Sequence, residues 1–188
     1  KVAAAMPLFA LPAHAQLGAP EGQNPGYFRF TLGDVRLTIL SDGYFTNPTS
    51  GLAINAPRDA VQGFLKEHYL NVDQGYSHTN HLLIETGAHK LLVDVGSGSR
   101  WINTTGRLIS NLEAAGVALE EITHVIITHA HPDHIWGIRD DFDEPLFPEA
   151  EYIIGEAEHA YWSQDGLVDR VEPQMQQFVA GAVNSFAT

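Results

Sequence analysis

The stretch Thr128-His129-Ala130-His131-Pro132-Asp133-His134 packs three imidazoles and a carboxylate into six consecutive positions. These are side-chain types that can hold a divalent cation. His129 and His131 stand two apart, a spacing that in extended backbone sends both side chains to one side. Pro132 cannot continue a strand and is favoured in a first helical turn, so Asp133 and His134 would project from that turn back toward the same point. A histidine-rich polar loop is the plainer alternative. It would have to explain four ligand-type side chains at fixed offsets, directly after the apolar run Val125-Ile126-Ile127. There is no cysteine in the 188 residues, which excludes disulfides and thiolate ligands. Any ion must then be held by imidazole and carboxylate, which suits zinc or another first-row divalent metal.

The elements that must position this cluster can be read from period and punctuation. Tyr27–Leu32 and Val35–Leu40 flank Gly33-Asp34 as a two-residue hairpin, and Ser41-Asp42-Gly43 then breaks the pattern. The segment from Asn47 to Pro57 is loop-like, and Arg58–His68 reads as a short helix. A second hairpin pairs His81–Glu85 with Lys90–Val95 around Gly87-Ala88. Leu91-Leu92-Val93 is continuously apolar, as in a strand buried on both faces, and Val125-Ile126-Ile127 and Tyr152-Ile153-Ile154 are two more such runs. Thr105 to Ala115 reads as a helix stopped by Gly116, and Glu156–Gln164 as another stopped near Gly166. Met175, Phe178, Val179, Ala182, Val183 and Phe186 mark one stripe of a last helix opened by Pro173. Hairpins first, then strands alternating with helices, indicate a mixed α/β domain.

Composition narrows the function. The chain is 44% hydrophobic and 18% charged, ordinary for one globular core, and no apolar run is long enough for a membrane span. A formal charge of −13 with no basic block argues against nucleic acid, since phosphate binding draws on clustered Lys and Arg. Small-molecule chemistry is the better expectation. Residues 1–15 read as the residue of a secretory signal peptide, with Ala13-His14-Ala15 as its small-x-small cleavage site; such a segment would place the protein in a periplasm or outside the cell. Residues 16–26, rich in Gly and Pro, read as a linker, leaving 27–188 as the folded portion.

His-x-His-x-Asp-His after an apolar strand resembles the metallo-β-lactamase superfamily. Lys90-Leu91-Leu92-Val93-Asp94-Val95-Gly96 looks like its first motif, a strand ending in Asp. Pro25-Gly26-Tyr27, Leu32-Gly33-Asp34, Ser41-Asp42-Gly43, Gly106-Arg107-Leu108 and Glu113-Ala114-Ala115-Gly116 are similar to the methyl parathion hydrolase-type enzymes and lactonases within it. The resemblance implies an αββα four-layer sandwich and two divalent ions, zinc first among the options. His129 and His131 would ligate one ion, Asp133 and His134 the other, with Asp133 also orienting a hydroxide held between them. That hydroxide would be the nucleophile, because bound metal makes it available near neutral pH. Asp94 would support the ligands from a second layer, and as a strand-end turn former it reads equally well. The implied reaction is cleavage of an ester, lactone or phosphotriester. A β-lactamase, a glyoxalase II-like thioesterase, or a metal-binding fragment without catalysis are the alternatives.

The superfamily completes its site with a further His, a bridging carboxylate and a last His from the second half of its fold. After His134 the sequence holds only His159, on an expected helix and too soon after the motif, so it reads as surface or helix packing. The chain therefore looks like the N-terminal portion of the fold, weakly active or inactive by itself. The Met175–Phe186 stripe and one sheet face are expected to lack part of their cover, and self-association through Phe178 and Phe186 is one outcome.

Weaker signals remain. Trp101 and Trp162 align with aromatic residues that line the leaving-group pocket of the resembled hydrolases, though each also reads as ordinary packing. Trp136 reads as core. Asp140-Asp141-Phe142-Asp143-Glu144 lacks the spaced ligands of a calcium loop and reads as a solvated acidic loop. His68, His78, His81, His89 and His124 have no partner at ligand spacing, and His78 and His81 could border the pocket.

Overall fold

The computed structural model describes residues 25–187. The expected signal segment 1–15 and most of the 16–26 linker lie outside the described residues. Six strands form one sheet in chain order: β1 Tyr27–Leu32, β2 Val35–Pro48, β3 Gln74–Thr86, β4 His89–Val93, β5 His124–Ile127 and β6 Glu151–Ile154. The first four pair antiparallel, and β4, β5 and β6 run parallel. Helices α1 Arg58–Glu67, α2 Leu108–Ala114, α3 Pro132–Ile135, α4 Glu156–Trp162 and α5 Pro173–Phe186 occupy the connections and the C-terminal end. This is the mixed α/β arrangement expected from the alternation of periods. Among the described residues no helix is long and apolar enough to cross a membrane.

Two strands run further than expected. The Ser41-Asp42-Gly43 break is a bulge, with the β2–β3 register shifting between Ser41 and Gly43 and pairing then continuing to Pro48 opposite Gln74. Gly43 has φ 123°, and a Cβ there would stand 2.0 Å from the Thr104 carbonyl oxygen, so only glycine lets the strand bend here. β3 consequently begins at Gln74, seven residues before the apolar alternation becomes legible. In contrast, α2 is shorter than expected. Thr105 takes a hydrogen bond from Ser97 Oγ over 2.7 Å, and Asp42 Oδ1 accepts the Leu108 N–H at 2.9 Å, so a carboxylate from β2 marks the helix start. Gly116, at φ 78°, ends it as expected.

Register partners trace rows across the sheet. One face carries Thr38, Leu83, Leu92, Val125 and Tyr152 side by side, and the helices pack there: Leu108, Leu112, Ile135, Trp162, Val179 and Ala182 join that core. The opposite face carries the row Phe28, Ile39, Leu82, Val93, Ile126 and Ile153. Of these, Phe28 is 65% and Ile153 42% exposed. The expectation that β4, β5 and β6 are buried on both faces is thus corrected: Leu92 and Val125 are fully covered, while Leu91, Val93 and Ile126 are half-buried. An open face on the sheet and a partly covered α5 stripe, with Met175, Phe178 and Phe186 half-buried, agree with the sequence expectation. Val179 and Ala182 are buried in the core and Phe178 turns toward His131 and Trp136, leaving Val183 as the exposed member.

Candidate metal centre

The cluster sits where the parallel strands β4 and β5 end, the usual place for a site in such a sheet. Asp94 follows β4 directly and holds a left-handed φ of 59°, a conformation that Asp tolerates better than most residues. Its carboxylate gathers the other strand end. Thr128 donates its N–H to Oδ1 and its hydroxyl to Oδ2, both at 2.8 Å, and His134 Nδ1 lies 2.7 Å from Oδ2. Pro132 occupies the first turn of α3 as expected, and the His134 N–H returns to the His131 carbonyl over 3.0 Å. The Val95 N–H donates to the His134 carbonyl at 2.9 Å, locking the turn against the loop after β4.

The four side chains singled out from the sequence come together. The His129 and His131 ring centroids lie 4.7 Å apart, and those of His129 and His134 3.9 Å. Asp133 Oδ2 stands 3.2 Å from His134 Nε2. Burial alone would lower the His134 pKa, but its hydrogen bonds with Asp133 and Asp94 outweigh that and push it up to about 9. For Asp94, burial works toward a higher pKa and is outweighed by the bonds from His134 and Thr128, so it stays a carboxylate. Asp133 follows the same balance through His134. Burial and then the neighbouring His134 and His131 lower the pKa of His129, favouring the neutral ring that a metal requires.

Donor chemistry here fits a divalent cation. An imidazole whose Nδ1 is held by a carboxylate keeps Nε2 for a second partner, the arrangement that orients metal-ligating histidines; Asp94 holds His134 in this way, and its Nε2 faces Asp133. The Thr128 hydroxyl lies 3.1 Å from His129 Nδ1, constraining that ring from the same side. Among the described residues no three His, Asp or Glu side chains surround one point in metal-holding geometry.

Two residues that organise the centre were not legible in the sequence. Glu158, on α4, accepts the Ala130 N–H at 2.9 Å and the Trp162 indole N–H at 2.8 Å through one oxygen; the four-residue spacing to Trp162 was visible, the bond to Ala130 was not. Asp42, fully buried, accepts from the Ser97 N–H and hydroxyl and from Leu108. Of the aromatic expectations, Trp101 packs edge-on to Phe45 at 5.0 Å in a cleft of about 490 Å³ shared with Tyr44, Tyr76 and Thr104. Trp162 is corrected: it is 4% exposed and packs against the His131 ring at 5.9 Å, so it supports a site residue instead of lining open space. His159 is exposed and packs on Phe186 at 5.0 Å, outside the cluster. The acidic loop is tied down by Arg100, which donates to Asp143 at 2.8 Å, and by Arg139, which donates to the Asp143 carbonyl at 2.7 Å.

Residues 75–170 match the metallo-beta-lactamase superfamily, and the chain belongs to that superfamily. It is 27% identical to AidC, a dizinc quorum-quenching lactonase, superposing with a TM-score of 0.72 over 84% of this chain and 58% of that one. Hydrolase AbOPH of the beta-lactamase superfamily is 29% identical, with a TM-score of 0.76 over 87% of this chain and 56% of that one. An atrochrysone carboxyl ACP thioesterase of Aspergillus fumigatus is 34% identical over 119 residues, 63% of this chain and 21% of the relative. The chain therefore spans little more than half the length of the two solved hydrolases and about a fifth of the thioesterase.

Proposed function

We propose that this protein is a metal-dependent hydrolase that opens an ester, lactone or phosphotriester, with His129 and His131 holding one divalent ion and Asp133 and His134 a second. The observation that carries this reading is the convergence of the His129, His131 and His134 rings at the strand ends, with His134 fixed by Asp94. Zinc suits the imidazole and carboxylate donors. When bound, such ions supply an activated water and polarise the carbonyl or phosphoryl oxygen. The chain's own part is to orient. Asp94 fixes the His134 ring, Glu158 fixes the backbone between His129 and His131, and Asp133, held as a carboxylate, accepts a proton-bearing group beside His134. The aromatic cleft of Trp101, Phe45, Tyr44 and Tyr76 offers an apolar surface for an acyl or aryl group.

Thioester cleavage is the second reading, favoured by the relative named as an ACP thioesterase. A β-lactam shares the same acyl chemistry and belongs in the same panel. The test compares kcat/KM for an acyl-homoserine lactone, an aryl ester, a phosphotriester, an acyl thioester and a cephalosporin, using zinc-loaded protein from the open reading frame that encodes this chain. At least a tenfold preference for the lactone, ester or phosphotriester is expected, and the reverse preference for the thioester would replace the first reading with the second. The 188 residues by themselves should turn over weakly, since among the described residues no group of three or more His, Asp or Glu side chains is placed to hold an ion. An exported location is proposed from residues 1–15, and N-terminal sequencing of secreted protein tests it: a start at Gln16 is expected, and retention in the cytoplasm contradicts it.

A further inference from the structure

A fourth imidazole lies beside the cluster. His81 sits on β3 opposite Leu40 of β2, and since Leu82 pairs with Val93, its next neighbour across β4 is Asp94. It is 3% exposed, and neither ring nitrogen has a hydrogen-bond partner. Its ring stands at 82° to that of His134, with centroids 6.2 Å apart. The three carboxylates whose charge reaches it, Asp42, Asp94 and Asp133, turn oxygens to Ser97, Leu108, Thr128 and His134. A buried polar group without a partner costs free energy, and native proteins keep few of them. Packing gives no reason for this one. The same face of the sheet carries Leu40 and Leu83 as its neighbours, and a leucine would continue that row with nothing unsatisfied.

We propose that His81 is a positioning residue of the metal centre, its unpaired ring nitrogens serving the coordination shell that forms beside Asp94 and His134. The inference rests on the metal-binding reading above and extends it to a residue on β3, a strand that contributes no part of the histidine motif. It accounts for the placement: a residue kept only for packing would not retain two unpaired nitrogens next to the carboxylate that fixes His134.

Two substitutions separate this from a packing role, His81→Leu and His81→Gln, each followed by melting of the metal-free chain and by titration with Co²⁺ monitored through its visible spectrum. In His81→Leu the unsatisfied polar atoms are gone, so the metal-free melting temperature should rise by about 2–4 °C. Its Co²⁺ affinity should nevertheless fall by about tenfold or more, the size of effect that supporting groups have on metal sites, with an altered spectrum. His81→Gln, which keeps a polar head, should recover part of the affinity. A leucine variant that binds Co²⁺ as tightly as the parent, with the same spectrum, would overturn the proposal and leave His81 as packing. A leucine variant that melts lower than the parent would overturn its premise, because the nitrogens would then be partnered. Absence of Co²⁺ binding by the unaltered chain would remove the metal-binding reading as well.

Discussion

His134 donates its Nδ1–H to Oδ2 of Asp94 over 2.7 Å, joining the end of β4 to the first turn after β5. The bond links the superfamily's two sequence motifs in space, though 40 residues separate them in the chain. It also explains why Asp94 accepts a left-handed backbone: the turn it makes aims the carboxylate at both Thr128 and His134.

Asp94→Asn tests that link. Asparagine tolerates the same backbone but lacks the charge that holds the imidazole. Zinc affinity should drop by about 10–100-fold, and unfolding free energy by about 1–3 kcal/mol, read by chelator competition and by urea titration. Affinity within twofold of the parent would show that Asp94 is only a turn former.

The metal-free chain should have an unusual pH profile. His134 has its pKa raised from 6.5 to about 9 in the fold, so the folded state binds the extra proton. Its stabilising effect is complete below about 6.5 and drains away as pH rises through about 9. Asp94 and Asp133 are held below their ordinary 3.8; their contribution is present above that value and lost as pH falls through the lowered ones. His129 and His81, whose pKa values burial lowers from 6.5, act in the opposite sense, their contribution being complete above about 6.5 and lost as pH falls. Melting in chelator should therefore be highest near about pH 6.5 and decline toward both acid and alkaline pH. Zinc should remove the alkaline decline. A metal-free chain that melts higher at pH 9.5 than at pH 6 would contradict the Asp133–His134–Asp94 arrangement.

Glu158 predicts coupling between α4 and the histidine loop. Glu158→Ala strands the Ala130 N–H and the Trp162 indole N–H, which should cost about 1–3 kcal/mol per unpaired group and loosen His131, whose ring packs on Trp162. Glu158→Gln keeps an acceptor and should lose less. Equal stability of the two variants in urea unfolding would rule the bond out as a determinant.

Much of this arrangement was legible because local patterns and the tertiary structure agree. The Gly33-Asp34 turn, the runs at β4, β5 and β6, Pro132 opening α3 and the α5 stripe all depend on neighbouring residues, and each element formed where its period indicated. What could not be read depends on distant partners. The second halves of β2 and β3 carry weak alternation and are strands because they pair with each other past the Gly43 bulge. The start of α2 is set by Asp42, 66 residues earlier. Trp162 had the residue type of a pocket wall, but Glu158 and His131 hold it inside. Within the site, the four ligand-type residues were visible as a motif, whereas the role of Glu158 needed the fold.

Gly181 shows how closely α5 approaches the loop beyond the cluster. A Cβ there would stand 2.2 Å from the Trp136 indole nitrogen. In an open helix Gly→Ala is stabilising by about 1 kcal/mol; here the clash should dominate, and Gly181→Ala should destabilise by about 1–3 kcal/mol. A higher urea midpoint for the variant would mean that Trp136 moves aside freely.

The central claim is that the His129–His134 cluster binds metal. Its most direct test is the metal content per chain of protein purified without chelator, measured beside His131→Ala. Near-stoichiometric zinc in the parent, lost or sharply reduced in the variant, is the predicted result. Equal metal in both proteins, or none in the parent after equilibration with zinc, would contradict it.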